Sequence, residues 1–209
     1  MLPMEFVPLL EESGLIVQVG AWAVEEALRQ AAAWRRQGVR PMLIAVNVAA
    51  RQFISGELLA TVEQSLVRSG IEPDRFELEV TEGSLMREAE HTMRVLGRLE
   101  QLGVRIAIDD FGTGYSSLAY LKRFAIDTVK IDRVFVRGLP HDASDVSIVA
   151  AIVAMAHSLG IRVIAEGVET EDQRRVLDYH GCHEYQGALF SMPVEPELIP
   201  AMIANSDRP

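Results

Sequence analysis

The 209 residues, 49% of them hydrophobic, suffice for one sizeable core and fit a single domain over residues 1–205 with a frayed tail at 206–209. A formal net charge of −10 without any run of Lys and Arg speaks against a clamp on duplex nucleic acid, which needs a basic face, but it suits a small anionic ligand received by metals and a few cations. The lone Cys182 rules out an internal disulfide and fits a reducing cytosol; no apolar run is long enough to span a bilayer, and the N-terminus has no signal-peptide pattern.

In chain order, Glu5 to Glu12 and Val17 to Gln37 read as helices. In the second, Trp22, Ala23, Ala27, Leu28, Ala31 and Trp34 supply an apolar stripe that Gly38 closes. Met42 to Val48 is a β run ending near Asn47, and Gly56 to Arg68 is helical. Phe76 to Val80 is a strand carrying Glu79, and Glu88 to Leu102 a helix stopped by Gly103. Val104 to Asp109 is a strand, Ser116 to Phe124 a short helix, and Thr128 to Ile131 a strand carrying Lys130. Ala143 to Leu159 is a long apolar helix, Ile161 to Ala165 a strand ending at Glu166, and Glu171 to Tyr179 a helix. Glu184 to Leu189 holds a last short strand with Gln186, and Pro196 to Ala204 is the closing helix.

Six strands alternating with helices give an α/β class with parallel strands. An open doubly wound sheet and a closed (β/α) barrel compete. An open sheet concentrates functional groups near one switch point. Here a polar group stands at every strand end: Asn47, Glu79, Asp109 with Asp110, Lys130, Glu166 and Gln186. A ring of groups around one mouth is what a TIM-type barrel provides, although that barrel has eight strands and six are visible.

The most pointed segment is Ile106-Ala107-Ile108-Asp109-Asp110-Phe111-Gly112-Thr113-Gly114. Successive strand side chains point to opposite faces, so the two acids converge on one site only if the chain bends, which Gly112 and Gly114 permit. Converging carboxylates repel each other unless a cation lies between them. Asn47, Glu79, Asp109 and Asp110 are oxygen donors, which select Mg²⁺, Mn²⁺ or Ca²⁺ over Zn²⁺. Acids with one lysine fit metal-assisted attack on a phosphoryl group, as a diester or a monoester. The competing bland readings are a solvated acidic loop and an outward lysine.

Several look-alikes fall away. Asp110-Phe111-Gly112 lacks the companion motifs of a kinase, and Gly112-Thr113-Gly114 lacks the third glycine of a dinucleotide fingerprint. The five histidines have no zinc spacing, His180 and His183 read as incidental, and Cys182 reads as a small core residue.

Six motifs stand in order: Val46-Asn47-Val48-Ala49-Ala50-Arg51-Gln52-Phe53, Glu77-Leu78-Glu79-Val80-Thr81-Glu82, the loop from Asp109 to Tyr115, Val129-Lys130-Ile131-Asp132-Arg133, Ala165-Glu166-Gly167-Val168-Glu169-Thr170 and Gln186-Gly187. Together they resemble the EAL family of bacterial cyclic di-GMP phosphodiesterases. An early helix, Glu5-Phe6-Val7-Pro8-Leu9, extends the likeness to almost the whole chain. The resemblance implies metal-dependent hydrolysis of cyclic di-GMP to linear pGpG at a two-metal Mg²⁺ or Mn²⁺ site. Asn47, Glu79 and Asp109 would hold one metal, with Asp109 and Asp110 serving the second. Lys130 would position the attacking water, and Glu166, Gln186 and Glu169 would complete the catalytic set. Glu82 and Glu169 would brace the loop of Gly112, Thr113 and Gly114, where a homodimer interface often lies in the family; Arg51 and Asp132 would meet substrate.

The family is named for a Glu-Ala-Leu strand that carries a metal-ligating glutamate, preceded by a strand with Tyr-Gln-Pro. Neither is in this sequence, and Glu26-Ala27-Leu28 lies inside a helix as a coincidence. The expectation is therefore an N-terminally incomplete barrel with a weakened or empty metal site and impaired turnover. Its alternative is a non-catalytic cyclic di-GMP-binding or protein-interaction scaffold. Either would be a cytosolic bacterial domain of a longer regulator with sensory or cyclase domains.

Overall fold

The structure, a computed structural model, describes residues 3–86, 89–114 and 126–206. The expected helix Ser116 to Phe124 lies outside the described residues. The chain divides into two compact units, Met1–Ile106 with Pro196–Pro209, and Ala107–Glu195.

In the first unit, α1 (Pro3–Ser13) and α2 (Ile16–Arg36) lead to β1 (Ile44–Val48). Then come α3 (Ala50–Ser55), α4 (Leu58–Ser69), β2 (Phe76–Thr81), α5 (Glu82–Met86) and α6 (Ala89–Gln101). The stripe read for α2 is real on its inner face. Val24, Leu28, Ala31 and Ala32 are buried, while Glu25 and Arg29 face water. Trp22, placed on that stripe by periodicity, is 62% exposed instead. Glu26-Ala27-Leu28 is helical as expected: Glu26 pairs with Arg29 and Leu28 is fully buried. Helix α2 packs on α4 and β1, and α4 answers with Leu58, Val62 and Leu66 at helical spacing. Each such side chain contributes about 1.5–3 kcal/mol on leaving water, so Leu28→Ala alone removes about 2–5 kcal/mol. Strand β1 runs parallel to β2, with Asn47 beside Glu79. The closing helix α10 (Ile199–Ser206) belongs to this unit, where the Trp34 indole N–H donates to the Pro196 carbonyl (3.1 Å).

Strand β3 (Arg105–Phe111) leads into the second unit. There, β4 (Thr128–Ile131), α7 (Arg133–Val136), α8 (Ala143–Ser158), β5 (Arg162–Glu166), α9 (Glu171–Tyr179) and β6 (Glu184–Gln186) follow. Strands β3, β4, β5 and β6 pair in sequence order, all parallel. Strand β4 is wholly buried, the continuous apolar pattern of a covered parallel strand broken by one lysine. Asp142 caps α8 by accepting from the Ser144 amide at 2.8 Å. Parallel pairing in sequence order, with helices between the strands, is the (β/α) arrangement of a TIM-type barrel, with six of its eight strands among the described residues.

Three local departures have simple causes. Helices α3, α5 and α7 span two turns or less, too short to show a 3.6-residue period. The helix expected from Gly56 begins at Leu58, because Gly56 sits at φ +76° as the C-terminal stop of α3. The last strand ends at Gln186, because the chain turns at Gly187.

Candidate metal centre

The bend that lets Asp109 and Asp110 converge is at Asp110 itself, with φ +55°, the only described non-glycine residue at positive φ. Aspartate tolerates this left-handed conformation better than most residues. Ladder pairs on either side are Ile108 with Val129 and Phe111 with Ile131. Two residues of β3 therefore stand opposite the single Lys130 of β4, a β-bulge. Without the extra residue, Asp110 would share the buried face of Ile108 and Phe111 would take the acid's place. With it, Phe111 is buried and both carboxylates lie on the face of Lys130. The loop closes with the Thr113 hydroxyl donating to the Asp110 carbonyl (2.8 Å) and the Asp110 amide donating to Asp109 Oδ1 (3.1 Å). At Gly112, φ is +98° and an added Cβ would come within 2.9 Å of the Phe135 ring; Gly114 is exposed at the end of the described loop.

Lys130 is buried, with Nζ 2.5 Å from Glu166 Oε1 and 3.3 Å from Asp109 Oδ1. Buried charge is tolerable only when paired in this way. Asp109, Asp110 and Glu166 each offer a carboxylate oxygen, and these lie within 4.8 Å of one another. Among the described residues this is the one acidic, histidine or cysteine cluster so arranged. Burial, the Asp109 charge and a hydrogen bond to Asp132 push the Asp110 carboxyl up to about 6, against a smaller downward pull from Lys130. Three hard oxygens around one point suit a divalent Mg²⁺, Mn²⁺ or Ca²⁺ rather than zinc.

Gln186 pairs in register with Glu166, which sets it at the neighbouring strand end. Asp132 begins α7, accepting from the Val134 amide at 2.6 Å. Beside it opens a cavity of about 610 Å³ lined by Asp132, Arg133, Arg137, Gly167, Glu169 and Gln173. Glu169 is held from behind: its amide and that of Thr170 donate to Gln173 Oε1 at 2.8 and 3.0 Å. Residue order alone did not single out Gln173; Thr170 with Gln173 is a capping-box pattern that could have.

In the first unit, Asn47 is exposed and Glu79 buried at paired strand ends, with Glu82 buried in the first turn of α5. Arg51 donates to the Glu11 carbonyl at the end of α1 (2.5 Å). Gln52, also not singled out beforehand, is buried and accepts from the Ala49 amide two residues beyond Asn47 (3.0 Å). Gly20 makes room for it: a Cβ there would lie 2.1 Å from the Gln52 amide nitrogen.

Cys182 is the core residue expected. It is buried, and burial pushes its thiol up to about 11, far from a nucleophile's range. His183 pairs with Asp178, away from the acidic cluster's ligand set. Among the described residues no single helix is long and apolar enough to cross a membrane.

Comparison with known proteins finds relatives over nearly the whole chain. A bifunctional diguanylate cyclase/cyclic di-GMP phosphodiesterase from Pseudomonas aeruginosa, MucR, is 46% identical over 97% of the chain, which covers 30% of that protein. The chain thus spans under a third of the length of this curated relative. The solved MucR phosphodiesterase in complex with c-di-GMP superposes with a TM-score of 0.91 at 46% identity, covering 95% of this chain and 81% of that one. A Klebsiella pneumoniae BlrP1 structure with manganese and cyclic di-GMP gives a TM-score of 0.75 at 31% identity, over 85% of this chain and 45% of that one. The family model described as EAL domain matches residues 1–193. With its motifs in order and its acids gathered at the strand ends, the chain belongs to the EAL domain family.

Proposed function

We propose that this chain is the hydrolytic module of a cyclic di-GMP phosphodiesterase, opening one phosphodiester bond to give linear pGpG. The observation that carries the reading is the placement of Lys130 between Asp109 and Glu166, with Asp110 brought to the same face by the bulge. Asp109, Asp110 and Glu166 would hold one Mg²⁺ or Mn²⁺, and Asn47 and Glu79, side by side at paired strand ends, would offer oxygen donors to the other ion that the family resemblance implies. When bound, such ions lower the pKa of water and neutralise charge on the phosphoryl group. Lys130, with Nζ between the Asp109 and Glu166 carboxylates, would orient the attacking water. Gln186 and Glu169 border the reacting group, and Asp132 and Arg51 serve the substrate. Glu82 and Glu169 brace the loop of Gly112, Thr113 and Gly114, at which two copies meet.

The curated relative MucR is a much longer protein, of which this chain covers 30%, and this domain likewise acts within a longer regulator. The alternative, second reading is a module that binds cyclic di-GMP without hydrolysing it. Chromatographic detection of pGpG with Mn²⁺, on this chain and on a version extended upstream, tests the proposal. Metal-dependent pGpG from the extended version supports it, and binding without product from either version supports the second reading. Neither binding nor product defeats both.

A further inference from the structure

Strand β6 is three residues long and Gln186 is its last. A ladder that short holds a strand weakly. Side chains reinforce it on both faces: Arg162 reaches Glu184 at 3.5 Å and Thr128 at 2.6 Å, while the Tyr185 hydroxyl donates to Asp178. A further reinforcement is made of backbone. Past β5 the Val168 amide donates to the Gln186 carbonyl (3.0 Å), and the Leu189 amide donates to the Val168 carbonyl (3.0 Å). The loop after Glu166 therefore closes directly on the loop after Gln186. At their crossing stands Gly187, where an added Cβ would fall 2.2 Å from the Val168 oxygen and 2.4 Å from its nitrogen. Both neighbours are main chain, so no side-chain rotation can relieve the overlap.

We infer that Gly187 is a positioning residue: its bare Cα lets Val168 clamp the end of β6, and the clamp keeps Gln186 in register beside Glu166. A simple turn glycine would only permit a bend, and its replacement would cost stability without touching the metal. A clamp instead couples metal at Glu166 to the Val168 and Leu189 amides by way of Gln186. The inference rests on the proposed roles of Glu166 and Gln186, so its test has a readout independent of turnover.

Hydrogen exchange resolved at Val168 and Leu189 is measured with and without Mn²⁺ in the unsubstituted chain, in Gln186→Ala and in Gly187→Ala. Mn²⁺ should slow both amides in the unsubstituted chain by about tenfold, and in neither variant. In turnover, Gly187→Ala should lower kcat by about tenfold or more with KM little changed, since small misplacements near the reacting atoms are costly. Added to Gln186→Ala, it should lower kcat by less than about twofold, because the two act as one unit. Should Gly187→Ala not fold, the Mn²⁺ response of the unsubstituted chain against Gln186→Ala still decides. Amides indifferent to Mn²⁺, or strictly additive substitutions, would overturn the clamp. A chain with the Mn²⁺ response but no product would defeat the phosphodiesterase reading and leave the clamp standing.

Discussion

Asp109 and Asp110 occupy, between them, one position of the β3–β4 ladder, and the residue opposite is Lys130. A regular strand would show Lys130 one acid and send the other into the apolar layer with Ile108. The bulge delivers both, at the expense of a left-handed aspartate. Strain of this kind, about 1–2 kcal/mol for an L-residue, persists where surrounding structure fixes it, here the Thr113 contacts and buried Phe111.

The raised Asp110 carboxyl makes the metal-free fold sensitive to pH. Its value of about 6 in the fold exceeds the ordinary 3.8, so the folded state holds the proton more tightly than the unfolded chain. This contribution is present in full below 3.8 and is lost as pH rises through about 6. Thermal melts from pH 4 to 7 should show the unsubstituted chain losing stability relative to Asp110→Asn across that window. Mn²⁺ affinity should rise over the same window in the unsubstituted chain, because the ion must displace the proton, and Asp110→Asn should bind Mn²⁺ at least about tenfold more weakly.

Removing the Lys130 ammonium leaves Asp109 and Glu166 facing each other without their cation. Lys130→Met should cost about 3 kcal/mol in metal-free urea unfolding, the scale for breaking a buried pair. Saturating Mn²⁺ should recover part of that loss by supplying positive charge to the same carboxylates, while turnover stays abolished. Equal destabilisation with and without Mn²⁺ would show that the lysine and the metal do not share those acids.

Gln52 satisfies the Ala49 amide behind Asn47, in a space left by Gly20. Gln52→Ala should destabilise the fold by about 1 kcal/mol, the scale for losing the hydrogen bond of a half-buried donor. Gly20→Ala should be destabilising as well, and Gly20→Ala combined with Gln52→Ala less so than the sum, since the added methyl then meets no amide. Urea denaturation of the four proteins checks this.

Cys182 should be silent. With its thiol buried and pushed up to about 11, a chromogenic disulfide reagent at pH 8 should modify it only on denaturation. Cys182→Ala should keep full turnover. Fast labelling of the folded chain would contradict the burial.

Much was legible in the residues because the signals are local. Short β-type runs with a polar group at their end, most of them preceded by a helix-stopping glycine (Gly38, Gly70, Gly103, Gly160, Gly181), announce a parallel α/β chain, and β1 to β6 appear where those runs lie. The identities of the strand-end groups, all oxygen donors and one lysine, announce hard-cation chemistry before any geometry is known. Tertiary structure decided what depends on register between strands. Sequence spacing cannot tell that two residues of β3 oppose one of β4, because a bulge is a relation between chains of hydrogen bonds rather than a property of either strand. Nor can it tell that Lys130 is buried between Asp109 and Glu166, that Gln52 and Gln173 prop the loops behind Asn47 and Glu169, or that Val168 closes over Gly187 at the end of β6. Those contacts join residues from separate elements, and only packing brings such residues within hydrogen-bond reach.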